Sequence, residues 1–438
     1  MAPREPRRVK PDWDNPQTML SVDEARARIL SAFTPLPPVS LPLLDALGLV
    51  LAEDIQSPVD IPPFRNSAMD GYALRSRETA QATPGSPLTL QVRGEIAAGH
   101  APPSDLAPGT AMRIMTGAPL PHGADAVIRF EEVVESGTSR KGPDRTLSEP
   151  RVGLSRAVRT SENVREAGED VVAGSTVARA GTVISPMQIG LLAAIGRTTV
   201  NVVRRPVVAI VSTGDEVVEA GLELGPAQIR NSNGPMLAAM ARQFGGEPRQ
   251  LGIASDSEEA IRGRLSASGE VDLLVTSGGV SVGDFDVVKQ VLQCDGRIDL
   301  WQVRMKPGKP LAFGSLGDTP LLGLPGNPAA AAVAFSQFGR PAIRTMLGLS
   351  QMAPHTERAR LGVDIENRGN RRHFVRGVID IEQGERVVRP AGGGRSGALT
   401  GLAAANCFII LSEECDRAHA GDIVDVELFE DANLGPLS

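Results

Sequence analysis

The sequence predicts a multidomain chain of the α/β plus β class, and three observations carry that prediction. Three short apolar runs, at 207–211, 271–275 and 321–324, each stop at small, hydroxyl-bearing or acidic residues, with helix-like sequence between them. That alternation specifies a parallel sheet crossed by helices, with ligands beyond the carboxyl ends of the strands. Residues 86–135 and 354–438 instead show short strand-like runs broken by Gly and Pro, the pattern of β-domains. Finally, 438 residues exceed one usual hydrophobic core. Aromatics make up only 3% of the chain, so its cores rely on Leu, Val, Ile and Ala.

Taken in order, residues 1–17 are rich in Pro and charge and predict a disordered tail. A linker domain follows in two pieces, 18–60 and 165–204. Its first helix starts at Ser21-Val22-Asp23-Glu24, a capping box. Between the pieces lies an inserted β-rich domain, 61–164. It opens on Ile61-Pro62-Pro63-Phe64-Arg65-Asn66-Ser67-Ala68-Met69-Asp70-Gly71-Tyr72-Ala73, an ordered turn with a lone acid and the only tyrosine. On spacing alone a rigid β-turn explains it equally well. Strands are expected at 88–92, 111–115 and 126–128, and 136–162, polar and without periodicity, reads as a mobile surface excursion. Gly168-Glu169-Asp170 leads into a strand at 171–174, and Ser185-Pro186 caps a helix ending at Gly196.

The α/β domain, 205–350, has helices opening at Asn233-Gly234-Pro235, at Asp256, read as an N-cap, and at Asn327-Pro328. An all-β domain, 354–438, completes the chain.

The chemistry gathers at the strand ends. Ser277-Gly278-Gly279-Val280-Ser281 offers backbone N–H groups and hydroxyls suited to an oxyanion, and Asp284 and Asp286 follow as hard ligands for Mg²⁺. A plain glycine turn would have the same sequence. Met305-Lys306-Pro307-Gly308-Lys309-Pro310 holds two lysines among prolines, which an anionic ligand explains better than a solvated face. Pro325-Gly326-Asn327-Pro328 starts a helix where a strand ends, as a phosphate site or an ordinary Asn cap. Acids at the other strand ends, Glu216 and Asp256, join these in a pattern for metal-assisted phosphate chemistry. Arg371 and Ser396 add a cation and a hydroxyl on turns of the last domain, where a basic edge strand is the simpler account.

Several classes are excluded. A net charge of -7 gives no electrostatic reason for a nucleic-acid partner, and no apolar run approaches the ~20 residues that span a bilayer. Three cysteines and five histidines show no paired metal-ligand spacing, and the basic first ten residues have no apolar segment behind them. A cytoplasmic, disulfide-free protein is expected.

Seven segments in this order resemble the MoeA family of molybdenum insertases, related to the gephyrin E domain. They are 66–73, Met115-Thr116-Gly117-Ala118-Pro119, Gly168-Glu169-Asp170, Ser212-Thr213-Gly214-Asp215-Glu216, 277–281, 306–310 and 325–328. The resemblance implies a molybdopterin-binding-like central domain of three layers, a mixed linker domain and a C-terminal β-barrel-like domain, in an elongated homodimer. It implies a molybdopterin molybdenumtransferase that inserts molybdenum from molybdate into adenylylated molybdopterin, with Mg²⁺-dependent release of AMP. The alternatives are a molybdopterin adenylyltransferase and a non-catalytic cofactor-binding scaffold. Other molybdenum-cofactor pathway proteins and molybdoenzymes are the implied partners, with no nucleic acid and no membrane.

The same likeness implies that the active site joins the central domain of one protomer to the inserted domain of the other. It makes Asp70, Thr116, Asp170, Glu216, Asp256 and Asp286 catalytic, with Asp70, Glu216, Asp256 and Asp286 holding metal. Ser277, Gly278, Gly279, Ser281 and Asn327 would cradle phosphate, and Lys306, Lys309, Arg371 and Ser396 would bind the oxyanion. The chain departs from the family pattern at Arg65, Gln302 and Ala330.

Overall fold

The capping box at Ser21 forms as its sequence requires. Ser21 N–H donates to Glu24 Oε2 at 2.7 Å and Glu24 N–H to Ser21 Oγ at 3.1 Å, which starts helix α1, Val22–Leu30. The structure, a computed structural model, describes residues 19–136, 150–255, 257–266, 269–279, 296–349, 354–392 and 399–429. The chain divides into two units. One is Glu53–Ala180 with Pro186–Thr198, and the other is Met1–Ala52 with Gly181–Ser185 and Thr199–Ser438.

In the smaller unit Gly71–Leu74 (β1), Leu88–Ile96 (β2), Thr110–Ile114 (β3), Ala126–Arg129 (β4), Val133–Ser136 (β5) and Arg151–Leu154 (β6) form one sheet. Its order is β4-β1-β3-β2-β6-β5, with only β2 and β3 parallel. All four residues of β1 are buried, and Tyr72 meets Phe130 edge-on with centroids 5.3 Å apart. Gly71 is needed there because a Cβ would stand 1.9 Å from the Ile128 carbonyl oxygen.

The expected excursion at 136–162 is corrected over its second half. Arg151–Leu154 is an interior strand with Val152 and Leu154 fully buried, and beyond it Arg156 pairs with Glu132 and, at 2.6 Å, with Glu162. Two apolar residues in a four-residue strand are too few to stand out among arginines. Residues 137–149 lie outside the described residues. The strand expected at 171–174 is also displaced: Val171 makes one bridge to Ile61, and the strand is Thr176–Ala178. Helix α2, Pro186–Ala194, forms as predicted, with Gly196 at φ 84° just past its end.

The larger unit holds the central sheet. Its elements are Val207–Thr213 (β7), Asn233–Gln243 (α3), Glu247–Ala254 (β8), Glu258–Ser266 (α4), Leu273–Ser277 (β9), Gly296–Gln302 (β10) and Met305–Lys306 (β11). Pro310–Leu316 (β12), Thr319–Leu324 (β13), Pro328–Ala334 (α5) and Arg340–Met346 (α6) follow. The order is β8-β7-β9-β13-β12-β10. The three apolar runs of the sequence are adjacent and parallel. The sheet is nevertheless mixed, because β12 turns back on β13 as a hairpin and pairs antiparallel with β10 as well. Alternation along β7 makes the three layers. Val208 and Ile210 join a core with α3, α5 and α6, whereas Ala209 and Val211 face Ile261 of α4.

The cap of α4 is corrected. Ser257, the residue directly before the helix, accepts the Ala260 N–H on its Oγ at 3.2 Å, so the capping position is one residue later than expected. Asp256 lies outside the described residues.

The helix after Asn327 is interrupted by a π-helical turn, Phe335–Gly339, between α5 and α6. Pro341 supplies the reason, since it lacks an N–H and its ring cannot sit against the carbonyl four residues back. That carbonyl belongs to Gln337, and Arg26 Nε donates to it at 3.2 Å. The Gln337 side chain accepts from Arg26 Nη2 at 2.7 Å and donates to Glu427 Oε2 at 2.6 Å, while Ser336 Oγ donates to Glu427 Oε1 at 2.6 Å.

The last part of the chain contributes Thr356–Leu361 (β14), Arg372–Glu382 (β15), Glu385–Pro390 (β16), Leu399–Ala403 (α7), Cys407–Leu411 (β17) and Ile423–Leu428 (β18). The order β15-β16-β14-β18-β17 closes through β15 and β17 into a five-stranded barrel, the expected β-barrel-like domain with one short helix added. Strand β11 pairs in parallel with β15 and so ties the central sheet to the barrel. Among the described residues no helix is long and apolar enough to cross a membrane.

Candidate active site

Three adjacent strand ends build the floor of the site. Strand β7 ends at Ser212-Thr213 before Gly214, β9 ends at Ser277 before Gly278-Gly279, and β13 ends at Leu324 before Pro325-Gly326-Asn327. Gly278 N–H donates to the Leu324 carbonyl at 3.0 Å. Gly278 has φ 101°, and a Cβ on it would stand 2.7 Å from Thr213 Oγ1 and 2.8 Å from the Thr213 carbonyl oxygen. Gly279 follows at φ 67°. A Cβ on Gly326 would meet the Gly278 Cα at 3.7 Å. Glycine at 278 is what lets the second loop approach the first so closely.

Glu216 sits over the first loop, its carboxylate oxygens 2.6 and 2.8 Å from where a Gly214 Cβ would be. Asn327 is the side-chain cap of α5, accepting the Ala329 N–H at 3.0 Å. Asn233, predicted only to open a helix, spans two loops: its Nδ2 donates to Ser277 Oγ at 2.8 Å and to the Gly326 carbonyl at 2.7 Å. An Asn beside Gly-Pro after a strand was the only signal, and it reads as a cap.

The cation turn lies beside this floor. A Cβ on Gly308 would fall 3.5 Å from the Ala330 carbonyl oxygen, which places the turn from Lys306 to Lys309 against the first turn of α5. Lys306 pairs in register with His373, and burial, then the charges of Lys306 and Arg371, push the His373 imidazole down to about 4. The ring is therefore neutral near pH 7, and the positive charge at this edge belongs to Lys306 and Arg371.

Asp70, Thr116 and Asp170 belong to the smaller unit. Asp70 Oδ1 accepts from both the N–H and the Oγ1 of Thr116, at 2.7 and 2.8 Å, and these two bonds hold its carboxyl below the usual range. Asp170 is exposed, and its N–H donates to the Ile61 carbonyl at 2.9 Å, at the start of the Asp70 turn. Asp256, Ser281, Asp286 and Ser396 lie outside the described residues. Among the described residues no three His, Cys, Asp or Glu side chains gather as a metal site.

The chain matches the MoeA N-terminal region (domain I and II) over residues 20–196, a probable molybdopterin binding domain over 209–345 and the MoeA C-terminal region (domain IV) over 358–429. The molybdopterin molybdenumtransferase of Haemophilus influenzae is 37% identical over 419 residues, 94% of this chain and 99% of that protein. The chain belongs to the MoeA family. A Bacillus subtilis molybdopterin molybdenumtransferase is 36% identical over 424 residues, covering 95% of this chain and 96% of its own. The molybdopterin biosynthesis MoeA protein of Pyrococcus horikosii has a similar structure, with a TM-score of 0.79 at 31% identity over 94% of this chain and 100% of that one.

The three departures from the MoeA pattern have settled places. Arg65 pairs with Glu166 at 2.8 Å, Gln302 is buried, and Ala330 is buried with its carbonyl facing Gly308.

Proposed function

We propose that this MoeA-family chain inserts molybdenum from molybdate into adenylylated molybdopterin and releases AMP. The observation that carries the reading is the juxtaposition of the three glycine-lined strand ends with the turn bearing Lys306 and Lys309. Backbone N–H groups and the Ser277 hydroxyl suit phosphate oxygens, and Lys306, Lys309, Arg371 and Ser396 are the proposed oxyanion ligands. Ser281 and Asn327 complete the proposed phosphate cradle. The curated relatives' name, molybdopterin molybdenumtransferase, supports the transferase step of molybdenum cofactor biosynthesis.

Mg²⁺ is the proposed metal, held by Asp70, Glu216, Asp256 and Asp286. The donor set is made of hard carboxylate oxygens, and both hydrogen bonds to Asp70 fall on Oδ1, so its chemistry fits. When bound, Mg²⁺ would offset the charge of the phosphate oxygens as the adenylate bond is cleaved. Thr116 fixes the Asp70 carboxylate, and Asp170 is the second proposed catalytic acid of the smaller unit.

We propose a cytoplasmic homodimer in which Asp70, Thr116 and Asp170 of one protomer complete the site of the other. Asp70 is exposed, with Phe64 and Met69, large apolar side chains, also exposed on its turn. Such a turn suits a covering surface. The proposed domains are 18–60 with 165–204, 61–164, 205–350 and 354–438.

AMP release from adenylylated molybdopterin, with Mg²⁺ and with or without molybdate, tests the function. Molybdate-dependent release is expected. Release without molybdate would favour simple hydrolysis, and binding without release would favour a carrier. Asp70→Asn keeps an acceptor for Thr116 and should leave the melting temperature unchanged while slowing AMP release at least about tenfold. Unchanged release would remove Asp70 from the site.

A further inference from the structure

Asn233 is buried at 9% exposure, and its amide is already oriented. The Gly326 carbonyl can only accept, so the atom 2.7 Å away must be Nδ2, and the second hydrogen of that NH₂ goes to Ser277 Oγ at 2.8 Å. The amide oxygen, Oδ1, is buried and has no hydrogen-bond partner among the described residues. Leaving a buried acceptor unpaired is costly, so this orientation is held by the two hydrogen bonds that Nδ2 donates.

We propose that Asn233 is a positioning residue that makes Ser277 an obligate donor toward an anionic ligand. A serine hydroxyl has one hydrogen and two lone pairs. Asn233 occupies a lone pair, which leaves the Ser277 hydrogen to be given away. Among the described residues no acceptor takes it, and the residue opens the loop that carries Gly278 and Gly279. A phosphate oxygen in the cradle is the matching acceptor. By holding Gly326 with its other hydrogen, the same amide fixes the spacing between the second and third loops. This inference rests on the phosphate-cradle reading above.

The test is a double-mutant cycle on the full-length protein, with AMP as the titrated probe in calorimetry. Ser277→Ala removes the donor and should weaken AMP binding by about 10- to 100-fold, the worth of a hydrogen bond to a charged oxygen. In Asn233→Asp the carboxylate takes the Ser277 hydrogen for itself and can no longer donate to the Gly326 carbonyl, so a loss at least as large is expected. Ser277→Ala should then add little to Asn233→Asp, because the donor is already spent. Additive losses would overturn the positioning role while leaving the cradle intact. Wild-type protein that binds no AMP would overturn both the cradle and this inference. Should Asn233→Asp fail to fold, Ser277→Ala alone decides: wild-type affinity for AMP in that variant overturns the proposal, and the stated loss supports it.

Discussion

Gly278→Ala is expected to bring AMP release close to background. At φ 101° an L-residue is strained by about 1–3 kcal/mol. The new methyl group would also press on Thr213 Oγ1 at 2.7 Å and on the Thr213 carbonyl oxygen at 2.8 Å. The side-chain atom can rotate away, but the carbonyl is part of the backbone where β7 ends. Relief must therefore come from moving the loop after Ser277, which breaks the Gly278 N–H bond to the Leu324 carbonyl and shifts the proposed phosphate cradle. A shift near 1 Å in such a site costs on the order of 10²-fold in rate. Gly326→Ala is the matched control, because its Cβ would make only ordinary contact, 3.7 Å from the Gly278 Cα. Thermal melting and AMP release of the two variants check the pair. Equal activity in both would mean that the glycine loop does not touch the ligand.

Glu427→Ala is expected to be among the most destabilising single changes in the chain. Glu427 is 2% exposed and accepts from Ser336 Oγ and Gln337 Nε2, both at 2.6 Å. Truncation leaves both donors buried without an acceptor, at about 1–3 kcal/mol each. Glu427→Gln behaves differently, since its amide can accept from Gln337 and donate to the Ser336 hydroxyl. Burial raises the Glu427 carboxyl above its ordinary value, against the smaller opposing effects of Ser336, Gln337, Arg340 and Arg26. The native state thus binds this proton more tightly than the unfolded chain. The stability it contributes is fully present below the unfolded value of 4.5 and is lost as pH rises through the native value. Denaturant midpoints measured across pH should fall on that rise in the wild type and stay flatter in Glu427→Gln. A wild-type midpoint that rises over the same interval would reverse the assignment.

The sequence made the strand ends legible because their chemistry is local. Gly278, Lys306 and Asn327 each stand in a short string whose turn geometry is set by neighbouring Gly and Pro. The capping box at Ser21 was legible for the same reason. What escaped the sequence depends on partners far away along the chain. The strand Arg151–Leu154 exists because β2 and β5 flank it, and the β12–β13 hairpin exists because β13 is held by β9. Asn233 looked like a helix start because its targets, Ser277 and Gly326, lie 44 and 93 residues on. The π turn was hidden for a similar reason: Pro341 announces a broken helix, but the group that donates to the freed carbonyl is Arg26.

That junction has a consequence for how the protein is made. Arg26 and Gln337 are 311 residues apart, and Asp23 is clasped by Arg372 from 349 residues away. On the ribosome, at about 5–20 residues per second, helix α1 must wait roughly 15–60 s before the turn that receives it has been synthesised. Its apolar face, Val22, Ala25 and Ile29, has no seat on that core during the interval. Helix α1 is thus among the last pieces of this core to be fixed.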